Sequence, residues 1–139
     1  MNIYFACSIT GGREFESVYK AIVDALASQG HVIPTAHLAE PGLTSEAALS
    51  PLQVYERDAA WIRACDALIA EVSVPSHGVG YEIGYALGEG KPVLCLFQEG
   101  RRLSKMISGN PHPKLQVKSY EDTEAAIALA ADFLVTRGL

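Results

Sequence analysis

Two patterns of hydrophobic residues alternate along the chain, one typical of strands and one typical of helices. Short apolar runs predict strands at residues 3–7, 31–34, 66–72, 93–97 and 115–118. Between them, apolar residues that recur every three or four positions predict helices at residues 14–29, 51–64, 78–90, 103–108 and 122–136. Residues 38–50 fit neither period, and Pro41-Gly42 within them indicates a turn.

This alternation of strands and helices predicts an α/β fold, with a parallel sheet covered on both faces. Five strands favour a flavodoxin-like, doubly wound sheet in a single domain that spans residues 1–139. Such folds bind ligands beyond the carboxyl ends of their strands, where the strand order reverses. The loops at those ends are residues 7–13, 35–40, 73–80 and 98–104, so candidate functional residues are sought there.

Composition narrows the classes of partner. The net charge is −5 and the longest basic run is Arg101-Arg102, which argues against binding to duplex nucleic acid. We expect no membrane segment or signal peptide, because no apolar run is long enough and the N-terminus lacks a charged region. Three well-separated cysteines indicate reduced core residues in a cytoplasmic protein. The four histidines lack metal-ligand spacing, so neither a metal nor a cofactor is predicted.

Glu82 is the most informative single residue. It follows the apolar strand at residues 66–72 and a glycine-rich turn, and is predicted to lie in the first turn of a helix. A helix start offers free N–H groups and a positive dipole end, both of which suit a phosphate. No residue three or four positions away is cationic, so a local helical ion pair does not account for this carboxylate. The combination predicts chemistry on a phosphorylated small molecule.

Asp58 is the second candidate carboxylate. Its neighbours at helical spacing are Val54, Tyr55, Trp61 and Ile62, which surround it with apolar and aromatic groups. Such surroundings favour the protonated acid unless the group is paired across space. Two carboxylates in contrasting environments can divide the roles of acid and nucleophile, as retaining glycosyl transfer requires. The alternative is an ion pair with an arginine of a neighbouring chain, such as Arg57 or Arg63.

The loop after the first strand is a candidate anion cradle. Ser8 and Thr10 supply hydroxyls, Gly11-Gly12 permits close backbone approach, and Arg13 can fork onto an anion. The segment matches neither the dinucleotide fingerprint nor the phosphate loop of nucleotide triphosphatases. Its alternative interpretation is a plain turn with a capping hydroxyl.

Several further residues have weaker signals. Glu71 ends a strand and is expected to make a structural hydrogen bond rather than take part in catalysis. His37 and His77 lie in ligand-side loops, and either could touch a substrate. Cys7 has no base beside it in the sequence, so a thiol nucleophile is not expected. Three glycines at four-residue spacing are predicted to let their helix pack close to the sheet; they are Gly80, Gly84 and Gly88.

Four segments of the sequence form a further pattern: IYFACSITGGR at residues 3–13, ERDAAW at 56–61, AEV with PSHGVGYE within 70–82, and LSKMI at 103–107. Together they resemble the nucleoside 2-deoxyribosyltransferase superfamily, and more closely its 2′-deoxynucleoside 5′-phosphate N-hydrolases. The resemblance covers nearly the whole chain. It implies hydrolysis of the N-glycosidic bond of a deoxynucleoside monophosphate.

The resemblance also implies roles for residues. Glu82 would attack C1′, Asp58 would assist departure of the base, and Tyr4 would orient the nucleophile and crowd the 2′ position. Ser76 would bind the phosphate, and Ser104 would reach it from the neighbouring subunit of a homodimer. The full set implied to bind substrate is Cys7, Ser8, Ile9, Thr10, Gly11, Gly12, Arg13, His37, Ser76, Gly78, Gly80 and Ser104.

Two positions bear on the substrate. Transferases of this superfamily usually carry an aspartate near Ser76, whereas a serine accepts an anion without repulsion, so the resemblance favours a monophosphate. Related hydrolases of ribonucleotides such as CMP commonly have phenylalanine where Tyr4 stands, which favours deoxy substrates. The alternatives left open are base exchange between nucleosides, a ribonucleotide N-glycosidase, and a nucleotide-sensing module without turnover.

Overall fold

Parallel strands form the centre of the computed structural model, which describes residues 1–39 and 45–137. They lie side by side in chain order as β1 (Ile3–Ala6), β2 (Ala67–Glu71), β3 (Val93–Gln98) and β4 (Leu115–Tyr120). Tyr4 of β1 lies opposite Leu68 of β2, and Ala70 lies opposite Cys95 of β3. The predicted parallel α/β architecture is therefore confirmed, whereas the strand order of the described sheet runs without the reversal that the doubly wound, flavodoxin-like prediction required.

Helices join and cover these strands. They are α1 (Glu16–Ser28), α2 (Pro51–Ala64), α3 (His77–Gly88), α4 (Lys105–Ser108) and α5 (Thr123–Thr136), with short 3-10 turns at Ala36–Ala39 and Ser45–Ala48. Side chains of Ser50, Ser76 and Asp122 accept backbone hydrogen bonds at the starts of α2, α3 and α5. The predicted turn at Pro41-Gly42 lies outside the described residues.

Each face of the sheet has its own apolar core. Ile3, Phe5 and Ile69 pack with α1 and α5 on one face, whereas Tyr4 and Leu68 pack with α2 and α3 on the other. This division follows from the two-residue period of a strand, which sends successive side chains to opposite faces. Tyr4 is thereby directed toward the layer of helices that carries both candidate carboxylates.

The prediction of a fifth strand at residues 31–34 is wrong. Of these residues only Val32 forms a bridge, with Asn2 just before β1, and its carbonyl accepts from the Ile3 N–H at 2.8 Å. Pro34 stands at the next pairing position and has no N–H to donate, which ends the ladder. One residue later, the buried Thr35 hydroxyl accepts from the Phe5 N–H at 3.0 Å and donates to the Phe5 carbonyl at 2.8 Å. The Thr35 side chain thus makes the two hydrogen bonds with Phe5 that a neighbouring strand would have made.

The predicted packing role of the α3 glycines is also wrong. Gly80, Gly84 and Gly88 are exposed, and a Cβ added at any of them would meet no atom within 4 Å. The buried stripe of α3 consists instead of Val79, Ile83, Ala86 and Leu87. These apolar residues pack toward the sheet, so the glycines are turned to the outer side of the helix.

Crossing a membrane takes a longer and more apolar helix than any in the described part of the chain.

The Thr35 hydroxyl should contribute measurably to stability. Replacing it in Thr35→Val leaves the buried Phe5 N–H and carbonyl without partners, so the free energy of unfolding should fall by about 1–3 kcal/mol. Thr35→Ser keeps the hydroxyl and should lose less. Urea unfolding of both variants provides the measurement, and equal stability of Thr35→Val and the wild type would contradict this account of the sheet edge.

Candidate active site

A hydrogen bond between strand and helix lies at the centre of the site. Tyr4 is almost fully buried on β1, and its hydroxyl donates to Oε2 of Glu82 on α3. Burial, reinforced by the charge of Glu82, holds the pKa of the Tyr4 phenol far above its ordinary value. The phenol therefore stays protonated and acts only as a donor, which fixes the orientation of the carboxylate.

Glu82 lies in the second turn of α3 rather than in the first. The helix begins at His77 because the Ser76 side chain caps it, accepting from the Val79 N–H at 3.3 Å. This start is one residue earlier than that of the helix predicted at residues 78–90. The positive end of the helix dipole acts mainly within the first turn, so it favours an anion beside Ser76 more than it favours Glu82.

Asp58 has a cationic partner that helical spacing did not predict. Arg57, the preceding residue, donates through Nε to Oδ1 of Asp58 at 2.9 Å, and only 21% and 19% of the two side chains are exposed. The Arg57 guanidinium also stacks on Trp61, 4.8 Å from the ring centre. The alternative prediction, that Asp58 pairs with an arginine, is therefore confirmed, but the arginine belongs to the same chain and not to a neighbouring one.

The two candidate carboxylates share one cavity between α2 and α3. Its volume is about 200 Å³. It is lined by Tyr55, Asp58, Ala59, Ile62, Gly78, Tyr81, Glu82 and Tyr85. A small sugar or a single base ring is of a size to enter such a space, with carboxylates from two helices beside it.

Ser76 and Ser104 share a second cavity, which is lined by residues of α3 and of the segment at residues 102–110. Its volume is about 440 Å³, and Gly80, His77 and Arg102 are also among the residues around it. The Ser104 hydroxyl caps α4 by accepting from the Met106 N–H at 3.2 Å. Hydroxyls, a helix start and a guanidinium together suit an anion.

The loop after β1 is held as a tight turn. Ser8 is buried, and its hydroxyl accepts from the Gly11 N–H at 3.1 Å. Gly12 has a φ of +105°, a conformation that favours glycine. Ile9, Thr10 and Arg13 are exposed, and the Arg13 guanidinium lies 3.9 Å from Glu16.

Cys7 and His37 are two further predicted site residues. Burial, followed by the charges of Glu82 and Glu71, raises the pKa of the Cys7 thiol to about 12. This thiol stays protonated near neutral pH, so it is a poor nucleophile. The His37 ring meets Trp61 edge-on, with ring centres 5.9 Å apart, which brings His37 to the Asp58 side of the site.

The structural hydrogen bond predicted for Glu71 is confirmed. This fully buried carboxylate accepts from the Ser73 N–H at 2.7 Å and from the hydroxyls of Ser73 and Tyr120. Elsewhere, no group of three or more possible ligands among the described His, Cys, Asp and Glu residues could hold a metal ion.

Sequence reasoning missed two side-chain pairs beside the carboxylates. Arg57 and Trp61 are four residues apart on α2, and Tyr81 and Tyr85 are four apart on α3, with ring centres 6.1 Å from each other. Pairs at this spacing share a helix face. Searching each helix for such pairs, rather than only for a partner of each carboxylate, would have found both.

Comparison with known proteins identifies relatives over most of the chain. A family model described as nucleoside 2-deoxyribosyltransferase matches residues 3–128. A Methanosarcina mazei protein, provisionally named 2′-deoxynucleoside 5′-phosphate N-hydrolase 1, is 42% identical over 134 residues, covering 96% of this chain and 83% of that protein. The 5-hydroxymethyl-dUMP N-hydrolase of Mus musculus is 45% identical over 134 residues, covering 92% of this chain and 77% of the mouse protein.

Similarity extends to solved structures at lower identity. A Clostridium botulinum CMP N-glycosidase has a TM-score of 0.72 with this chain, at 21% identity, over 94% of this chain and 98% of the other. At this identity the likeness concerns the fold alone.

Gly11 should be essential for the turn after β1. A Cβ at this position would lie 2.4 Å from Ser8 Oγ and 2.4 Å from Val74 Cγ1. Gly11→Ala should therefore lower the free energy of unfolding by about 1–3 kcal/mol. Gly84→Ala is the matched control, because its Cβ meets nothing within 4 Å and the helix gains about 0.5–1 kcal/mol. Urea unfolding compares them; a Gly11→Ala protein as stable as the wild type would refute the steric argument.

Proposed function

The chain belongs to the nucleoside 2-deoxyribosyltransferase family, and on this premise we propose that it hydrolyses the N-glycosidic bond of 2′-deoxynucleoside 5′-monophosphates. The products are a free base and 2-deoxyribose 5-phosphate. One observation carries the proposal: a carboxylate oriented by a buried phenol lies in the same cavity as a second carboxylate. The names of the relatives at 42% and 45% identity support the same reaction and the same substrate class.

In the first step, Glu82 attacks C1′ of the sugar. The C1′–N bond breaks as the new C1′–O bond forms, and the electron pair of the broken bond goes to the base. The leaving nitrogen takes a proton from Asp58. Arg57, bound to Asp58 at 2.9 Å, then balances the negative charge that remains on the aspartate.

In the second step, water resolves the glycosyl ester on Glu82. Asp58, now ionised, takes a proton from the water as its oxygen attacks C1′, and the bond from C1′ to Glu82 breaks. Glu82 leaves as a carboxylate, and the Tyr4 hydroxyl, which donates to it, stabilises that charge. Asp58 ends the cycle protonated, ready for the next substrate.

Recognition of the 5′-phosphate is assigned to the start of α3, where Ser76 lines the second cavity and Gly78 lines the cavity of the carboxylates. Ser76 and the start of α3 provide hydrogen-bond donors there. The turn from Cys7 to Arg13 lies next to the β2–α3 loop, because a Cβ added at Gly11 would lie 2.4 Å from Val74 Cγ1.

The proposal includes a homodimer in which Ser104 of the partner subunit approaches the phosphate. Met106, two residues further along, is 83% exposed and would be covered by such contact. The buried thiols fit the reducing conditions of a cytoplasmic location.

Selection for deoxy sugars is assigned to Tyr4. Its buried ring has little freedom to move, and its hydroxyl is committed to Glu82, so a 2′-hydroxyl beside the nucleophile would meet a crowded position. The mouse relative's name makes 5-hydroxymethyl-dUMP the first substrate to test.

Substitution of the nucleophile should separate catalysis from binding. Glu82→Gln keeps the shape of the side chain but cannot form the glycosyl ester, so base release should fall by about 10³-fold or more. Nucleotide binding should persist. The assay follows base release by chromatography and binding by calorimetry, using 5-hydroxymethyl-dUMP, dGMP, GMP and deoxyguanosine.

The wild-type protein is the control and should release base from the two deoxynucleotides far faster than from GMP or deoxyguanosine. Near-normal release by Glu82→Gln would remove Glu82 from the mechanism. Nucleotide binding by the wild type without any base release would favour the sensing module instead.

Base exchange is the second candidate function, because the description of the matching family model is that of a transferase. Incubation of dGMP with an excess of free adenine distinguishes the two reactions. Hydrolysis should yield guanine and 2-deoxyribose 5-phosphate at the same rate with or without adenine. Formation of dAMP would show that the glycosyl ester is transferred to a base, contrary to a purely hydrolytic enzyme.

A further inference from the structure

A buried hydrogen-bond network at the carboxyl edge of the sheet takes no part in the proposed chemistry. Its centre is Glu71, the last residue of β2, which is fully buried. Glu71 accepts from the Ser73 N–H at 2.7 Å, from the Ser73 hydroxyl at 2.9 Å, and from the Tyr120 hydroxyl. The Ser73 hydroxyl in turn accepts from the Gln98 N–H at 2.8 Å.

This network lies on the opposite face of the sheet from the carboxylate cavity. Tyr120 belongs to the core formed with α1 and α5, whereas Tyr4 belongs to the core formed with α2 and α3. Burial raises the pKa of the Glu71 carboxyl, while the hydrogen bonds from Tyr120 and Ser73 and the charge of Arg101 oppose that rise. A carboxylate is costly to bury, so its retention here calls for a structural or functional reason.

The network fixes one short segment of backbone. Ser73 is bound to Glu71 through both its N–H and its hydroxyl, and Val72 donates to the Leu96 carbonyl at 2.8 Å. The chain then reaches Ser76, the cap of α3, after two residues. The ends of β2, β3 and β4 therefore converge on the start of the loop that carries Ser76.

Glu82 is held by different contacts. It lies on α3, whose position is set by the buried Val79, Ile83, Ala86 and Leu87, and it accepts from Tyr4. Loss of the Glu71 network should consequently move the phosphate end of the site more than the nucleophile.

We propose that Glu71 is a positioning residue that sets the affinity of the site for the 5′-phosphate by fixing the loop from β2 to α3. Glu71 acts through Ser73 on the position of Ser76 and touches neither substrate nor reacting atoms. This inference rests on the proposed function, since it assumes that a nucleoside monophosphate occupies the site.

The experiment uses Ser73→Ala and Tyr120→Phe, each of which removes one hydroxyl from the network and leaves Glu71 in place. For both variants, Kd and KM for 5-hydroxymethyl-dUMP should rise about tenfold, equivalent to about 1.4 kcal/mol. The kcat should change by less than about twofold, because an interaction lost equally from the bound substrate and the transition state affects KM alone. Binding of the nucleoside that lacks the phosphate should not change.

The matched control is Thr35→Val, which removes another buried hydroxyl with two hydrogen bonds. It should lower the melting temperature without changing the ratio of nucleotide to nucleoside affinity. The proposal is overturned if Tyr120→Phe and Ser73→Ala lower the melting temperature but leave that ratio unchanged, or weaken both ligands equally.

The same measurements keep the two proposals apart. If the wild type binds the nucleotide but releases no base, the proposed function fails and the Kd ratios still decide the role of Glu71. If the wild type binds the nucleotide no more tightly than the nucleoside, the positioning role is overturned.

Discussion

A buried phenol requires a hydrogen-bond acceptor, and the acceptor of Tyr4 determines how the site is arranged. Its acceptor is Glu82, so the first strand and the third helix are joined through the candidate nucleophile itself. The bond holds the carboxylate in one orientation and places it beside Asp58 in the cavity between α2 and α3. Both the proposed attack on C1′ and the crowding of the 2′ position depend on this contact.

The sheet separates the candidate catalytic residues from the Glu71 network. Tyr4 points to the α2–α3 face, where both carboxylates lie, while Tyr120 and the Glu71 network belong to the other face. The two-residue period of the strands makes this separation possible, since neighbouring residues on one strand serve different layers. The loop from β2 to α3 is the place where the two layers meet, because Ser73 is bound on one side and Ser76 begins the helix of the other.

Local patterns in the sequence predicted the parallel sheet, the principal helices and the two carboxylates, because each depends on hydrophobic period or residue type along a short stretch. Contacts between distant or unusually paired residues were beyond such patterns. The pairing of Arg57 with Asp58 joins adjacent helix residues that normally point apart. The strand lost at residues 31–34 depended on Pro34 and on Thr35, whose side chain takes over the Phe5 backbone groups. The two cavities that α3 lines could not be predicted, because they exist only once the helices are packed.

The Thr35 side chain also bears on self-association. A strand at the margin of a sheet exposes N–H and carbonyl groups that can recruit a strand from another molecule, which is a common route to aggregation. On β1, Val32 occupies the first part of this margin and the Thr35 hydroxyl satisfies both groups of Phe5. Because the partner of Phe5 is a side-chain hydroxyl and not a strand, it adds no new backbone edge to which another chain could pair. Although the strand is missing, the β1 edge of the sheet therefore has few free backbone groups with which a strand of another molecule could pair.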